Sequence, residues 1–299
     1  MVFKMTTASA SILSKEQLEC YEKNGYMVVK IFDDNDFDPV REVITKWIDK
    51  KCEELAAEGK KINPHKNQPF ENRAAFLLKE TAGFFAKFDV DTILGPELLN
   101  HFKHPKMISV VKELLGESIS LNPIHHIRVK PPALSDTENN GYFNVPWHQD
   151  CGVYTEDTDN TTILTCWRPI GFATEKMGCM QILPGVSGPN PLPHVSSSYG
   201  TMIDPKHMPE ITPLPVPCKT GEVVIMKQFI PHMSTKNEGD ICRWSIDVRY
   251  QVTGQPTGRD WQPETIMNGP NETSLEEWEN SWKECRANGN VRTKHRVTN

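Results

Sequence analysis

Apolar positions recur at helical spacing in the first third of the chain and fall into short runs from Ile119 onward. Ser14 with Gln17 three residues later is a capping-box pattern that opens a helix. Leu18 and Tyr21 form its apolar side, and Gly25 ends it. The run Tyr26 to Ile31 predicts a strand. Asp38 and Pro39 open a longer helix, with Asp38 as the expected cap and Pro39 at a position where its missing N–H costs nothing. Val40, Val43, Ile44, Trp47, Ile48 and Leu55 make the buried face of that helix. Glu58 to Asn72 is polar and reads as a loop. Another helix starts at Pro105, turns Ile108, Val111 and Leu115 inward, and stops at Gly116.

Beyond Ile119 the segments Ile124 to Val129, Thr162 to Trp167, Met180 to Leu183, Glu222 to Met226 and Trp244 to Val252 predict strands. Short strands separated by Pro and Gly point to a mainly β fold with flanking helices, of the sandwich or jelly-roll kind. Pro184 to Pro217 is long and Pro-rich for a connection, and such insertions often form lids or mouths. A last helix runs from Ser274, with a second capping box to Glu277, Trp278, Trp282 and Cys285 on one face, and Gly289 as its stop. The expected organisation is one domain over residues 1–299. Residues 1–118 form a helical part, 119–258 a β core, and 259–299 a helical flap.

Composition narrows the function classes. The 299 residues are 37% hydrophobic and 24% charged, an ordinary globular balance. A net charge of -6 without Lys/Arg runs argues against nucleic-acid partners. No apolar stretch approaches the ~20 residues needed to span a bilayer, so no membrane partner is expected. The N-terminus lacks the order of a secretory signal. The eight cysteines form no close pair and read as free thiols of a reducing compartment, so a cytoplasmic location is expected.

The chemistry concentrates in two distant segments. His148 and Asp150 stand two apart, which on a strand places both side chains on one face. His232 would complete a set of two imidazoles and one carboxylate, which suits non-heme Fe(II) and leaves open positions for a co-substrate and O2. Arg243 follows His232 by eleven residues (243 − 232 = 11) and shares a strand with Ser245. Trp244, Ile246 and Val248 point one way, and Arg243, Ser245 and Asp247 point the other. A buried guanidinium fork matches the far carboxylate of a keto acid. His126, Arg128 and Lys130 also alternate onto one side. That is the ordinary pattern of a solvated face, but Lys130 stands just before Pro131-Pro132 and shortly upstream of the His148 pair.

These motifs together resemble one family. Val129-Lys130-Pro131-Pro132, Trp147-His148-Gln149-Asp150, Cys166-Trp167-Arg168-Pro169, Gly178-Cys179-Met180-Gln181-Ile182-Leu183-Pro184-Gly185 and Gly221-Glu222-Val223-Val224, leading to His232 and Arg243, are similar to the phytanoyl-CoA dioxygenase family. The opening Glu16 to Tyr26 resembles it too, and the likeness runs from about Ser14 to about Gly258. It implies a double-stranded β-helix (jelly roll, cupin-like), Fe(II), and 2-oxoglutarate and O2 as co-substrates. It assigns His148, Asp150 and His232 to the metal and to catalysis. It assigns Arg243 and Ser245 to the far carboxylate of 2-oxoglutarate, with Lys130, Trp167 and Ser234 around the same ligand. Gly178 stands where the family has a small residue in a turn. The implied reaction is oxidation, in the first instance hydroxylation, of an unactivated C–H of a small organic molecule, with release of succinate and CO2. An aspartate at 150 favours oxygen transfer over halogenation.

One departure bears on the substrate. Val186-Ser187 follows Pro184-Gly185 where the family usually has Ser-His, so neither the substrate nor a coenzyme A thioester is carried over. Tyr142, Phe143, Val145, Trp147 and Tyr154 are candidate pocket walls, and equally candidate core. His126 and Arg128 are candidates for an anionic substrate group. Two other readings stay open here. One is a non-catalytic β-barrel that binds or senses a small acid through Arg243 and Lys130. The other is a cupin-like zinc isomerase or hydrolase.

Overall fold

The computed structural model describes residues 11–133, 144–188, 191–197, 200–290 and 296. The chain enters through α1 (Lys15–Asn24), β1 (Tyr26–Lys30), α2 (Asp38–Ala57), α3 (Phe70–Glu80), α4 (Pro96–Phe102) and α5 (Pro105–Leu115). The β region follows as β2 (Ile119–Leu121), β3 (His126–Lys130), β4 (Ile163–Pro169), β5 (Met180–Ile182), β6 (His194–Ser197), β7 (Gly200–Ile203) and β8 (Leu214–Val216). It continues as β9 (Glu222–Lys227), β10 (His232–Ser234), β11 (Arg243–Val252) and β12 (Thr265–Asn268), and α6 (Leu275–Ala287) comes last.

Both predicted capping boxes form. The Gln17 amide donates to Ser14 Oγ at 3.2 Å and the Ser14 amide to Gln17 Oε1 at 2.9 Å. Ser274 and Glu277 repeat the exchange at 3.2 and 2.8 Å. Gly25 ends α1 in the left-handed region. Asp38, expected to cap α2, instead occupies its first helical position. A 3-10 turn over Asp34–Phe37 runs straight into the helix, and the Asp38 amide already donates to the Asn35 carbonyl. Its carboxylate pairs with Arg41 at 2.9 Å.

The polar stretch read as a loop over 58–72 already contains the start of α3 at Phe70. The buried side of α3 is only Arg73, Ala74 and Leu77. Arg73 breaks the apolar stripe because its guanidinium serves the Pro64 carbonyl and Asp49. α4 has seven residues, too few for a periodicity to declare itself.

Among the described residues the core strands form two packed antiparallel sheets. The larger has the order β1-β9-β4-β11-β2-β12, with β3 also paired to β11, and the smaller has the order β10-β5-β8. β6 and β7 pair with each other as a separate ribbon within the Pro184 to Pro217 insertion. β11 is the central strand, opposite β3, β4 and β2 along its length. Its residues are buried on both faces, apart from Asp247 and Val252, which are partly so. Trp244, Ile246, Val248 and Tyr250 face the helices in the main core, together with Val129, Cys166 and Ile225. Trp167, Val224 and Met226 face the other way, against Met180, Ile182 and Val216 of the smaller sheet. One face of the larger sheet therefore closes on helices and the other on the second sheet. This is a mainly β jelly roll with flanking helices. No described helix is long and apolar enough to cross a membrane.

Candidate active site

Backbone pairing, rather than side-chain affinity, brings the two histidines together. The His148 amide donates to the His232 carbonyl at 3.0 Å and the His232 amide to the His148 carbonyl at 2.9 Å. Directly opposed residues of an antiparallel bridge point to the same side, and the two rings stand 4.1 Å apart. His148 belongs to a one-residue bridge rather than to the expected strand. The same-face relation to Asp150 survives because Gln149 between them is extended. Asp150 then opens a 3-10 turn, Asp150–Val153.

Gln149 anchors this bend. It is 1% exposed, it accepts from the Leu192 amide at 2.7 Å, and it donates to the Phe229 carbonyl. The Pro184 to Pro217 insertion thus packs directly on the bend. The Ile203 amide also donates to the Trp147 carbonyl at 2.8 Å.

The three predicted ligands converge. One donor atom each of His148, Asp150 and His232 lies within 4.8 Å of the others. His148 Nε2 is 3.9 Å and His232 Nε2 4.0 Å from Asp150 Oδ1. Nδ1 of His148 faces the Pro146 carbonyl at 2.9 Å, and Nδ1 of His232 faces the Ile230 carbonyl at 3.0 Å. A carbonyl only accepts, so each Nδ1 donates to its carbonyl, and Nε2 is the ring atom left turned to the shared point. Burial, reinforced by His232, pushes His148 down to about 3, so its ring is neutral at physiological pH. Burial alone would raise the Asp150 carboxyl. The Arg249 guanidinium, the two histidines and the Thr165 hydroxyl together outweigh burial and hold it well below the usual carboxylate range. Neutral imidazoles and an ionised carboxylate are the protonation states a divalent metal requires.

The second cluster is carried by β3 and β11 of the larger sheet, on the face turned toward the smaller one. Arg243 stands directly opposite Lys130, and Ser245 directly opposite Arg128. Arg243 is 4% exposed and Lys130 1%. Arg243 Nη1 donates to the Gly178 carbonyl at 2.7 Å, and its guanidinium lies 5.2 Å from the Trp167 ring centre. Lys130 Nζ donates to Asn144 Oδ1 at 3.0 Å, to Ser234 Oγ at 2.9 Å, and to the Thr235 carbonyl. Among the described residues, Arg243 Nε and Ser245 Oγ are buried without a hydrogen-bond partner. No described acid pairs with either basic group. Burial, with Arg243 adjacent, pushes Lys130 down to about 6, and burial pushes Arg243 down to about 10. Two buried basic groups and two orphaned polar atoms make a seat suited to an anion.

Gly178 is explained by the same cluster. Its φ is +71°, and a Cβ there would collide with the Thr235 carbonyl. That carbonyl takes a Lys130 proton, while the Gly178 carbonyl takes one from Arg243.

Not every residue of the sequence reading meets here. His126 is paired with Asp89 at 2.6 Å, and Arg128 is exposed, so the alternation of β3 is solvated at one position and buried at another. Tyr154 is buried beside Arg249, with 5.7 Å from guanidinium to ring centre, and Val145 and Trp147 are half-buried. Tyr142 and Phe143 lie outside the described residues. Two further residues join the three-donor cluster. Arg249 Nη2 donates to Asp150 Oδ1 at 2.6 Å, and the Thr165 hydroxyl donates to Asp150 Oδ2. The signal for Arg249 was present in the sequence, since it keeps the phase of Arg243, Ser245 and Asp247 along one strand face.

The chain matches the family model for phytanoyl-CoA dioxygenase over residues 21–245. A probable phytanoyl-CoA dioxygenase of Caenorhabditis elegans is 26% identical over 260 residues, covering 82% of this chain and 77% of the relative. Among solved structures, apo ThoJ, a non-heme monooxygenase, superposes with a TM-score of 0.61 at 16% identity, covering 91% of this chain and 98% of ThoJ. The epimerase SnoN in complex with Fe3+, alpha ketoglutarate and nogalamycin RO gives 0.53 at 15% identity, covering 95% of each chain. At these identities the structural likenesses speak for the fold, while the family match spans most of the sequence. The chain belongs to the phytanoyl-CoA dioxygenase family, and with it to the Fe(II)- and 2-oxoglutarate-dependent dioxygenases.

Proposed function

We propose that His148, Asp150 and His232 hold Fe(II), that Arg243, Ser245 and Lys130 receive the far carboxylate of 2-oxoglutarate, and that the protein hydroxylates an unactivated C–H of a small organic molecule. The observation that carries this reading is the presence of two complementary clusters, one built on β10 and the bend after His148 and the other on β3 and β11. One is a three-donor group whose two imidazoles are each anchored at Nδ1 by a backbone carbonyl. The other is a buried pair of basic side chains without a described acid. A ferrous ion held by these three residues would supply activation of O2 coupled to oxidative decarboxylation of the keto acid.

The chain's own groups do the positioning. Arg243 offers a planar fork and Ser245 a hydroxyl to a carboxylate, which fixes both its place and its plane. Trp167 lies against the guanidinium and walls that end of the site. Ser234 and Asn144 hold the Lys130 amine toward the same ligand. Buried apolar residues around the site, Met180, Ile182, Val224 and Met226, exclude water from the reaction space. A zinc isomerase or hydrolase would leave Arg243, Lys130 and Ser245 without a partner.

The test is succinate formation from 2-oxoglutarate by purified protein under air. Turnover is expected to require Fe(II), to vanish in Asp150→Ala, and to need far more 2-oxoglutarate in Arg243→Gln. Once a substrate is found, product made under 18O2 is expected to carry one labelled oxygen. Protein that consumes no 2-oxoglutarate with Fe(II) present would refute the assignment.

A further inference from the structure

The three-donor cluster accounts for Asp150 but leaves unexplained why a fourth side chain, the charged Arg249, is buried against it. Arg249 is 3% exposed, and its Nη2 lies 2.6 Å from Asp150 Oδ1, the oxygen that faces both histidines. Thr165 takes the other oxygen, Oδ2. Arg249 and Thr165 are direct cross-strand partners on β11 and β4. Neighbouring positions of one sheet face therefore grip the two oxygens of one carboxylate.

The guanidinium is itself held in place. The Asp247 carboxylate, two residues back on the same face, lies 3.5 Å from the same Nη2. The Ile124 carbonyl stands 3.5 Å from Nη1, and the Tyr154 ring lies alongside at 5.7 Å. Asp247 Oδ1 is buried without a hydrogen-bond partner among the described residues, so nothing else described competes with Arg249 for that acid. A carboxylate on a short 3-10 turn can rotate about its last bond and present either oxygen, or both, to a metal. With Thr165 on one oxygen and Arg249 on the other, only the unused lone pair of Oδ1 faces the imidazoles.

From this we infer that Arg249 is a positioning residue of the metal centre. Wedged between Asp247 of its own strand and the ligand Asp150, it fixes Asp150 as a one-oxygen ligand aimed at the point shared by His148 and His232. The inference rests on the proposed ligand set and adds to it a residue that touches neither metal nor substrate.

The probe is Co(II), titrated anaerobically into the metal-free protein by calorimetry, with the visible d–d absorption of the loaded protein as a second readout. Arg249→Met is expected to bind Co(II) about 10- to 100-fold more weakly, with a changed d–d spectrum because the carboxylate is free to turn. Arg249→Lys keeps a cation but not the fork, and is expected to fall between the two. A purely structural ion pair would lower the melting temperature and leave the spectrum of the loaded protein as in wild type. A folded Arg249→Met protein with wild-type affinity and spectrum overturns the inference while the ligand set stands. Should Arg249→Met fail to fold, Arg249→Lys decides, and wild-type affinity and spectrum there overturn it equally. Wild-type protein that takes up no Co(II) removes the ligand set and the inference together.

Discussion

With Lys130 at the proposed keto-acid seat, the affinity for 2-oxoglutarate is expected to fall as pH rises. In the protein without ligand, burial and the facing Arg243 push this amine down to about 6. A carboxylate placed between the two basic groups restores the charged form toward the ordinary lysine value near ~10.4. The ligand therefore binds the protonated enzyme, and the sign follows. Below pH 6 the proton is already present and affinity is flat. Above pH 6 each binding event must recruit a proton, and affinity falls.

At pH 6 about half of the free enzyme carries the proton, and at pH 8 about 1% does, so Kd is expected to rise roughly 50-fold, or about 2 kcal/mol. The ligand's own carboxylates are ionised throughout this range. The assay is anaerobic calorimetry of 2-oxoglutarate into Mn(II)-loaded protein, where metal ligation fixes the histidines. Measurements at pH 6, 7 and 8, in buffers of different ionisation enthalpy, give both Kd and the protons taken up. Uptake is expected to climb from about half a proton at pH 6 to nearly one at pH 8. Lys130→Met is expected to abolish both trends. A wild-type Kd that is flat from pH 6 to 8, with no proton uptake, would refute the placement of Lys130 at the carboxylate.

Three further outcomes follow from local geometry. Gly178→Ala is expected to lower the melting temperature and weaken 2-oxoglutarate binding together, because the new methyl meets the Thr235 carbonyl at a left-handed backbone position costing about 1–2 kcal/mol. Thermal denaturation and the same calorimetry check this. Ser274→Ala removes the acceptor of the Glu277 amide and is expected to cost about 1 kcal/mol in denaturant unfolding with little effect on turnover. Trp167→Leu removes the face against Arg243 and is expected to raise the 2-oxoglutarate requirement several-fold in steady-state kinetics, leaving metal affinity as in wild type.

Much of this was legible in the sequence because the signals were local. Capping boxes at Ser14 and Ser274 depend on side chains three residues apart, and both formed. The alternation of Arg243, Ser245 and Asp247 against Trp244, Ile246 and Val248 is a two-residue period, and the sheet has helices on one side of it and the site on the other. What escaped depended on contacts far apart in the chain. Asp38 yielded its capping role to a turn that had already begun the helix. Arg73 interrupted the stripe of α3 for the sake of Asp49 and Pro64. The Arg249 and Thr165 grip on Asp150 needs the β4–β11 register, which no spacing within one segment reveals. His126 and Lys130 shared a predicted face but met different fates, since Asp89 stands at one end of β3 and Ser234 at the other.

In the proposed site, two imidazoles and one carboxylate close on a single ferrous ion beside a basic seat for the keto acid. An anaerobic titration of metal-free protein, first with Fe(II) and then with 2-oxoglutarate, followed by the visible charge-transfer absorption of the ternary complex, tests it most directly. One Fe(II) and one 2-oxoglutarate per chain are expected, with the metal step lost in Asp150→Ala and the keto-acid step weakened in Arg243→Gln. An absorption that fails to develop in wild type, or that persists unchanged in both variants, would contradict the account.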